Sequence, residues 1–241
     1  MSGRSPFPHL RFAGPPGWRL LPPVTRITLA LSVAGYLMGL LAPATTGLLM
    51  ADPISIVRRL ELWRLLTYPL VLPGIWNLLF GLLLFWALGS ELEPSWGSRR
   101  YAFFLVTATV CAAVLGVGAS VLLPTRFALP GYGISGLLTA TIVAWALAGP
   151  RLPVSFFGVL PMTRGGFALL SLVIVVFGEL EASRSPVRLL FLLGGLPVSW
   201  LWTRGRGRWS GPGRWQSRLR PGLEGSRRFR VVRPEDSGRF H

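Results

Sequence analysis

Lysine is absent: all 25 basic residues of the 241-residue chain are arginine. This excludes a serine–lysine dyad, which needs an amine able to lose its proton. We read the arginine bias as nucleotide composition rather than selected chemistry. Histidine is almost as scarce, with His9 and His241 alone, one near each end. No apolar stretch therefore carries an imidazole to serve as a general base. Cys111 is the single cysteine, so no intrachain disulfide can form. It lies in an apolar stretch and reads as a small buried hydrophobe. No metal site and no cofactor is expected.

Charge is also sparse, at 14% of residues, whereas 51% are hydrophobic and mean hydropathy is +0.52. These values define a polytopic membrane protein. About 20 apolar residues cross ~30 Å of hydrocarbon. Six such stretches, read as uncharged, fall near 27–47, 65–90, 102–124, 134–149, 165–180 and 189–203. The expected fold is an all-α membrane protein, a bundle of six transmembrane helices. The first stretch follows Arg4, Arg11, Arg19 and Arg26, and Ala42-Pro43-Ala44 resembles a signal-peptide cleavage site. Its length favours a signal anchor. With both termini inside, the inner segments carry 19 arginines and the outer loops six, the bias that the positive-inside rule requires.

Three regions follow: a cytoplasmic arm, 1–23; a membrane domain, 24–203; and a tail, 204–241. The tail holds eleven arginines among glycines and aromatics, with only Glu224, Glu235 and Asp236 as acids. Such a segment cannot bury a core, and disorder is expected. Anionic lipid headgroups are its expected partner; RNA, bound through phosphate contacts and stacking, is the lesser alternative. The loop 48–64 places Ile54, Ile56, Val57, Leu60 and Leu62 around Arg58 and Arg59, a composition suited to the membrane interface.

The fourth stretch is short. From Ile134 to Gly149 it supplies about 24 Å of helix, so an inner end held near Arg151 leaves Ser135 several ångströms below the outer surface. The approach through Pro130-Gly131-Tyr132-Gly133 then implies a recess, because irregular backbone at that depth must be surrounded by protein or water. Unpaired N–H groups and the positive helix end beside Ser135 suit a developing oxyanion. By itself, Gly133-Ile134-Ser135-Gly136 also fits close packing of membrane helices.

Four motifs in order resemble the rhomboid superfamily. Trp63-Arg64-Leu65-Leu66-Thr67 is similar to the Trp-Arg motif of the first outer loop. Trp76 to Gly81, followed by Gly89, Glu91, Glu93 and Trp96-Gly97-Ser98, resembles the second helix and its inner turn. Gly133-Ile134-Ser135-Gly136 matches Gly-x-Ser-Gly, and Leu193-Gly194-Gly195 resembles the end of His-x-Gly-Gly. The resemblance implies a six-helix intramembrane serine protease fold, with Ser135 at the nucleophile position.

It also implies what is missing. Leu192 stands where the family has its catalytic histidine, Gly81 where it has the oxyanion asparagine, and Asn77 where it has a histidine one turn earlier. Positions 77 and 81 share a helix face, so both changes are expected to alter one wall of the pocket. Asp52, Glu61, Glu179 and Glu181 are read as interfacial charges rather than substitute bases. Glu93 is expected to cap or brace the inner turn beside Arg99 and Arg100, and Trp63 and Arg64 to anchor the first loop. Gly195 with Ser199 gives a small-xxx-small spacing toward the serine helix, and Pro197 is expected to kink the last helix. The implied function is a pseudoprotease that binds transmembrane clients without cleaving them; the alternative is an active endopeptidase with an atypical or partner-supplied base. Coupled transport fits less well, since it needs ionisable groups facing the bundle interior.

Overall fold

A computed structural model describes residues 21–122, 130–149, 153–156, 160–183 and 185–204. The chain divides into two units, Met1–Arg208 and Trp209–His241. The second unit lies outside the described residues, as do His9, His241 and the basic tail beyond Arg204.

Helices occupy every apolar stretch. They are α1 (Pro23–Leu41), α2 (Pro43–Leu49), α3 (Pro53–Arg59), α4 (Arg64–Thr67), α5 (Ile75–Trp96), α6 (Ser98–Leu122), α7 (Ser135–Ala148), α8 (Arg164–Ser183), α9 (Pro186–Leu193) and α10 (Leu196–Arg204). Among the described residues α1, α5 and α6 are each long and apolar enough to cross a membrane alone. The described part is an all-α membrane protein with one exception, an antiparallel hairpin of β1 (Pro153–Phe156) and β2 (Leu160–Thr163), which pairs Pro153 with Thr163 and Phe156 with Leu160.

Three expectations change. The second stretch does not run from 65. Pro69 opens a 3-10 turn, Tyr68–Leu70, and Pro73-Gly74 separates it from Ile75, so α5 starts ten residues later and continues through Pro94 to Trp96. The last stretch breaks at Gly194-Gly195 rather than at Pro197, which sits in the first turn of α10, where a proline costs no hydrogen bond. Glu93 does not brace the turn beside Arg99 and Arg100. Its buried carboxylate accepts from Val24 N at 2.9 Å, Thr25 N at 2.7 Å and Thr25 Oγ1 at 2.8 Å, capping α1 from the C-terminal end of α5.

The bundle centres on α7, which packs against α5, α6, α8, α9 and α10. Small residues let the backbones approach. A Cβ on Gly194 would lie 2.7 Å from Ala112 Cα on α6, and one on Gly195 would lie 2.8 Å from Ala140 Cβ on α7. Ser199 Oγ then donates to Ala140 O at 2.8 Å. The pair of glycines thus wedges the α9–α10 break between two helices. A second apolar cluster, with Ala51, Ile56, Tyr68, Val117, Val187 and Phe191, ties the first loop to α6 and α9.

Candidate functional site

The first loop is held by the Trp-Arg motif. Helix α2 ends with unpaired carbonyls, as every helix does, and three side chains from 63–67 collect them. Arg64 Nη1 donates to Gly47 O at 2.5 Å and Met50 O at 3.0 Å, Thr67 Oγ1 to Leu49 O at 3.1 Å, and Trp63 Nε1 to Leu48 O at 3.4 Å. Arg64 Nε meets Glu61 Oε2 at 2.5 Å. Only 4% of Arg64 is exposed against 55% of Trp63, so Arg64 is a buried staple and Trp63 an exposed one. Asp52 caps α3 by accepting from Ser55 N at 3.0 Å and Ser55 Oγ at 2.7 Å. Burial alone would raise its pKa, but those hydrogen bonds and the nearby Arg64 hold it below the usual carboxylate value.

This loop delivers the chain to the serine. Ala51 and Gly131 exchange backbone hydrogen bonds at 2.9 and 3.0 Å, and Gly133 N donates to Tyr68 O at 3.2 Å. Gly133 has φ +92°, a conformation that a side chain would strain. The next turn begins α7 with Ser135 as its first residue. Phe191 fills the space beneath: a Cβ on Gly131 would come within 2.4 Å of its ring, and one on Gly136 within 2.5 Å of its carbonyl oxygen. The two glycines let α9 lie directly against the head of α7.

Ser135, Gly133, Gly136 and Leu192 therefore meet in one recess, with Tyr68, Tyr132, Glu179 and Arg188. Its volume is about 10 Å³, room for a single water. Leu192 is 2% exposed, so the position of the expected base is a packed hydrocarbon. Above it, one turn earlier on α9, Arg188 Nε pairs with Glu179 Oε1 of α8 at 2.6 Å, and its guanidinium lies 3.9 Å from the Tyr132 ring centroid.

Glu179 falls inside the fifth stretch, read from sequence as uncharged, and α8 turns it toward the recess rather than the interface. Glu181, two residues on, is exposed. Arg188 and Tyr132 were not singled out from sequence. An Arg four residues before Leu192, on the same helical face, was the available signal. Asn77 and Gly81 do not form one wall of the recess. Asn77 is exposed near the start of α5, and Gly81 is buried behind Ile134, whose Cγ2 lies 3.1 Å from where a Cβ at 81 would stand. An isoleucine methyl occupies the space that an asparagine side chain would enter.

A second polar cluster secures the other end of α7. Trp145 Nε1 donates to Glu91 Oε2 at 2.7 Å, Glu91 also pairs with Arg164, and the Arg164 guanidinium lies 4.5 Å from the Trp145 ring centroid. Helices α5, α7 and α8 are thereby joined.

An Arg-pinned first loop, a glycine-framed serine heading a short buried helix and a double-glycine wedge define a multi-pass membrane protein of the rhomboid superfamily. The chain belongs to the family described as Eukaryotic integral membrane protein (DUF1751), whose profile matches residues 26–204. It is also similar to the rhomboid protease GlpG of Salmonella paratyphi A, Salmonella typhi and Salmonella newport, 32% identical to each over 135 residues. That match covers 55% of this chain and 46% of each relative, so it spans about half the length of these curated proteins.

Proposed function

We propose that this chain is a rhomboid-like pseudoprotease, which binds transmembrane clients without cleaving them. The observation that carries the reading is Leu192, buried against the recess of Ser135 where the family's base would stand. A serine hydroxyl needs such a base to become a nucleophile at neutral pH. Ile134 in the place of the oxyanion donor is a second defect. In this reading the helices form six spans with both termini cytoplasmic, as the arginine distribution favours. The bacterial relatives support a bacterial inner membrane, the family's description supports a eukaryotic one, and the topology is the same in either.

The second reading is an active serine endopeptidase, favoured by Glu179, a carboxylate lining the same recess as Ser135. Its Oε1 is already engaged by Arg188, which makes it the weaker candidate.

A helix-destabilised transmembrane substrate carrying a fluorophore, reconstituted with the full-length protein, tests both. Energy transfer reports binding and gel mobility reports cleavage in the same sample. The expected result is binding that is equal for wild type and Ser135→Ala, with no product. Ser135-dependent product would overturn the proposal.

A further inference from the structure

We infer that the outward side of α6 carries a binding site for an anionic phospholipid, with an acyl chain in a groove beside Gly118 and the headgroup on Arg58 and Arg59. The groove lies between α3–α4 and α6 and measures about 450 Å³, within the ~300–1,000 Å³ of small-molecule sites. Its walls are hydrocarbon, with Ile56, Val57 and Leu65 on one side and Val114, Val117 and Val121 on the other.

Gly118 is the reason that the groove exists. Glycine inside a helix costs roughly 0.5–1 kcal/mol relative to alanine, and packing usually explains its presence. Two residues earlier it does, since a Cβ on Gly116 would strike the Phe191 ring at 2.4 Å; at Gly118 no atom of another described segment lies within 4 Å. The missing side chain leaves a space in the groove that no other described segment fills.

Charge selects the occupant. Arg58 and Arg59 follow Val57 in the last turn of α3 and are exposed. The nearby acids are committed elsewhere, Glu61 to Arg64 and Asp52 to Ser55. Two exposed cations directly after a residue that lines an apolar groove match an anionic headgroup above a hydrocarbon tail, and long arginine side chains reach from a helix to the headgroup level. The apolar part of a transmembrane helix supplies no such anion.

Native mass spectrometry of the full-length protein released from nanodiscs containing equal phosphatidylglycerol and phosphatidylcholine tests the site. Wild type is expected to retain one lipid with about thirtyfold preference for phosphatidylglycerol, equivalent to ~1 kcal/mol per arginine. Gly118→Leu, which the local space accommodates, is expected to release that lipid with either headgroup while leaving the melting temperature unchanged or higher. Arg58→Gln with Arg59→Gln is expected to keep the lipid and lose the preference. The basic tail is present in every variant, so lipid held there is a common background. Retention by Gly118→Leu, unchanged preference in the arginine variant, or a protein helix in place of the lipid would each overturn the inference.

Discussion

Rebuilding the missing chemistry one residue at a time separates the base from the oxyanion donor. Leu192→His places an imidazole on α9 where the wild-type side chain lines the recess with Ser135. The new ring is buried, and without a partner would cost ~1–3 kcal/mol, so its hydrogen bond to Ser135 is also what stabilises it. A positioned general base contributes typically 10²–10⁴-fold, and that is the increase expected in the rate of Ser135 labelling by a fluorophosphonate. Gly81→Asn should add nothing on its own, because its Cβ falls 3.1 Å from Ile134 Cγ2 and overpacking costs ~1–3 kcal/mol. Combined with Ile134→Ala, which removes that methyl, it should supply a further ~10²–10³-fold, as an oxyanion-hole donor does. The reasoning fails if folded Leu192→His stays unlabelled. It fails equally if Gly81→Asn enhances labelling with Ile134 intact, since the space would then be open.

Two further predictions concern the loop that carries the serine. Arg64→Ala should lower the unfolding free energy in detergent by about 3–5 kcal/mol, the usual cost of breaking a buried pair, and Arg64→Lys should restore only part of it, because an ammonium lacks the fork that bridges Gly47 and Met50. Asp52 has a folded-state pKa below its unfolded 3.8, so its cap is present above that value and is lost as pH falls through the folded value. Limited proteolysis at α3 should therefore rise only in strong acid in wild type, whereas Asp52→Ala should be susceptible at every pH.

Much of the site was legible because its signals are local. Gly133 to Gly136 announce a tight approach to a helix, and the resemblance of Leu193-Gly194-Gly195 to the rhomboid motif points to Leu192. What escaped depends on rotation and distance. Glu179 lies in an apolar run, and nothing in its neighbours says that α8 turns it toward Arg188 rather than lipid. Glu93 was legible as a cap but not as the cap of α1, because its partners are 69 and 68 residues away. Helical spacing puts Asn77 and Gly81 one turn apart but not in one wall of the recess, because Asn77 is exposed and Ile134 stands against Gly81. The start of α5 was misjudged because hydropathy runs through Pro69 and Pro73 without a drop, while the backbone does not.

Glu93 has a consequence for how the chain is made. Helix α1 begins at Pro23 with no side-chain cap of its own, and the carboxylate that receives its first N–H groups belongs to a residue translated 69 positions after Val24. At ~5–20 residues per second, about 3 to 14 s pass between the two. Throughout that interval α1 has to rely on the translocon, water or headgroups for the same hydrogen bonds. Its N-terminal hydrogen bonds wait for α5, so this helix acquires its cap only when a later segment arrives.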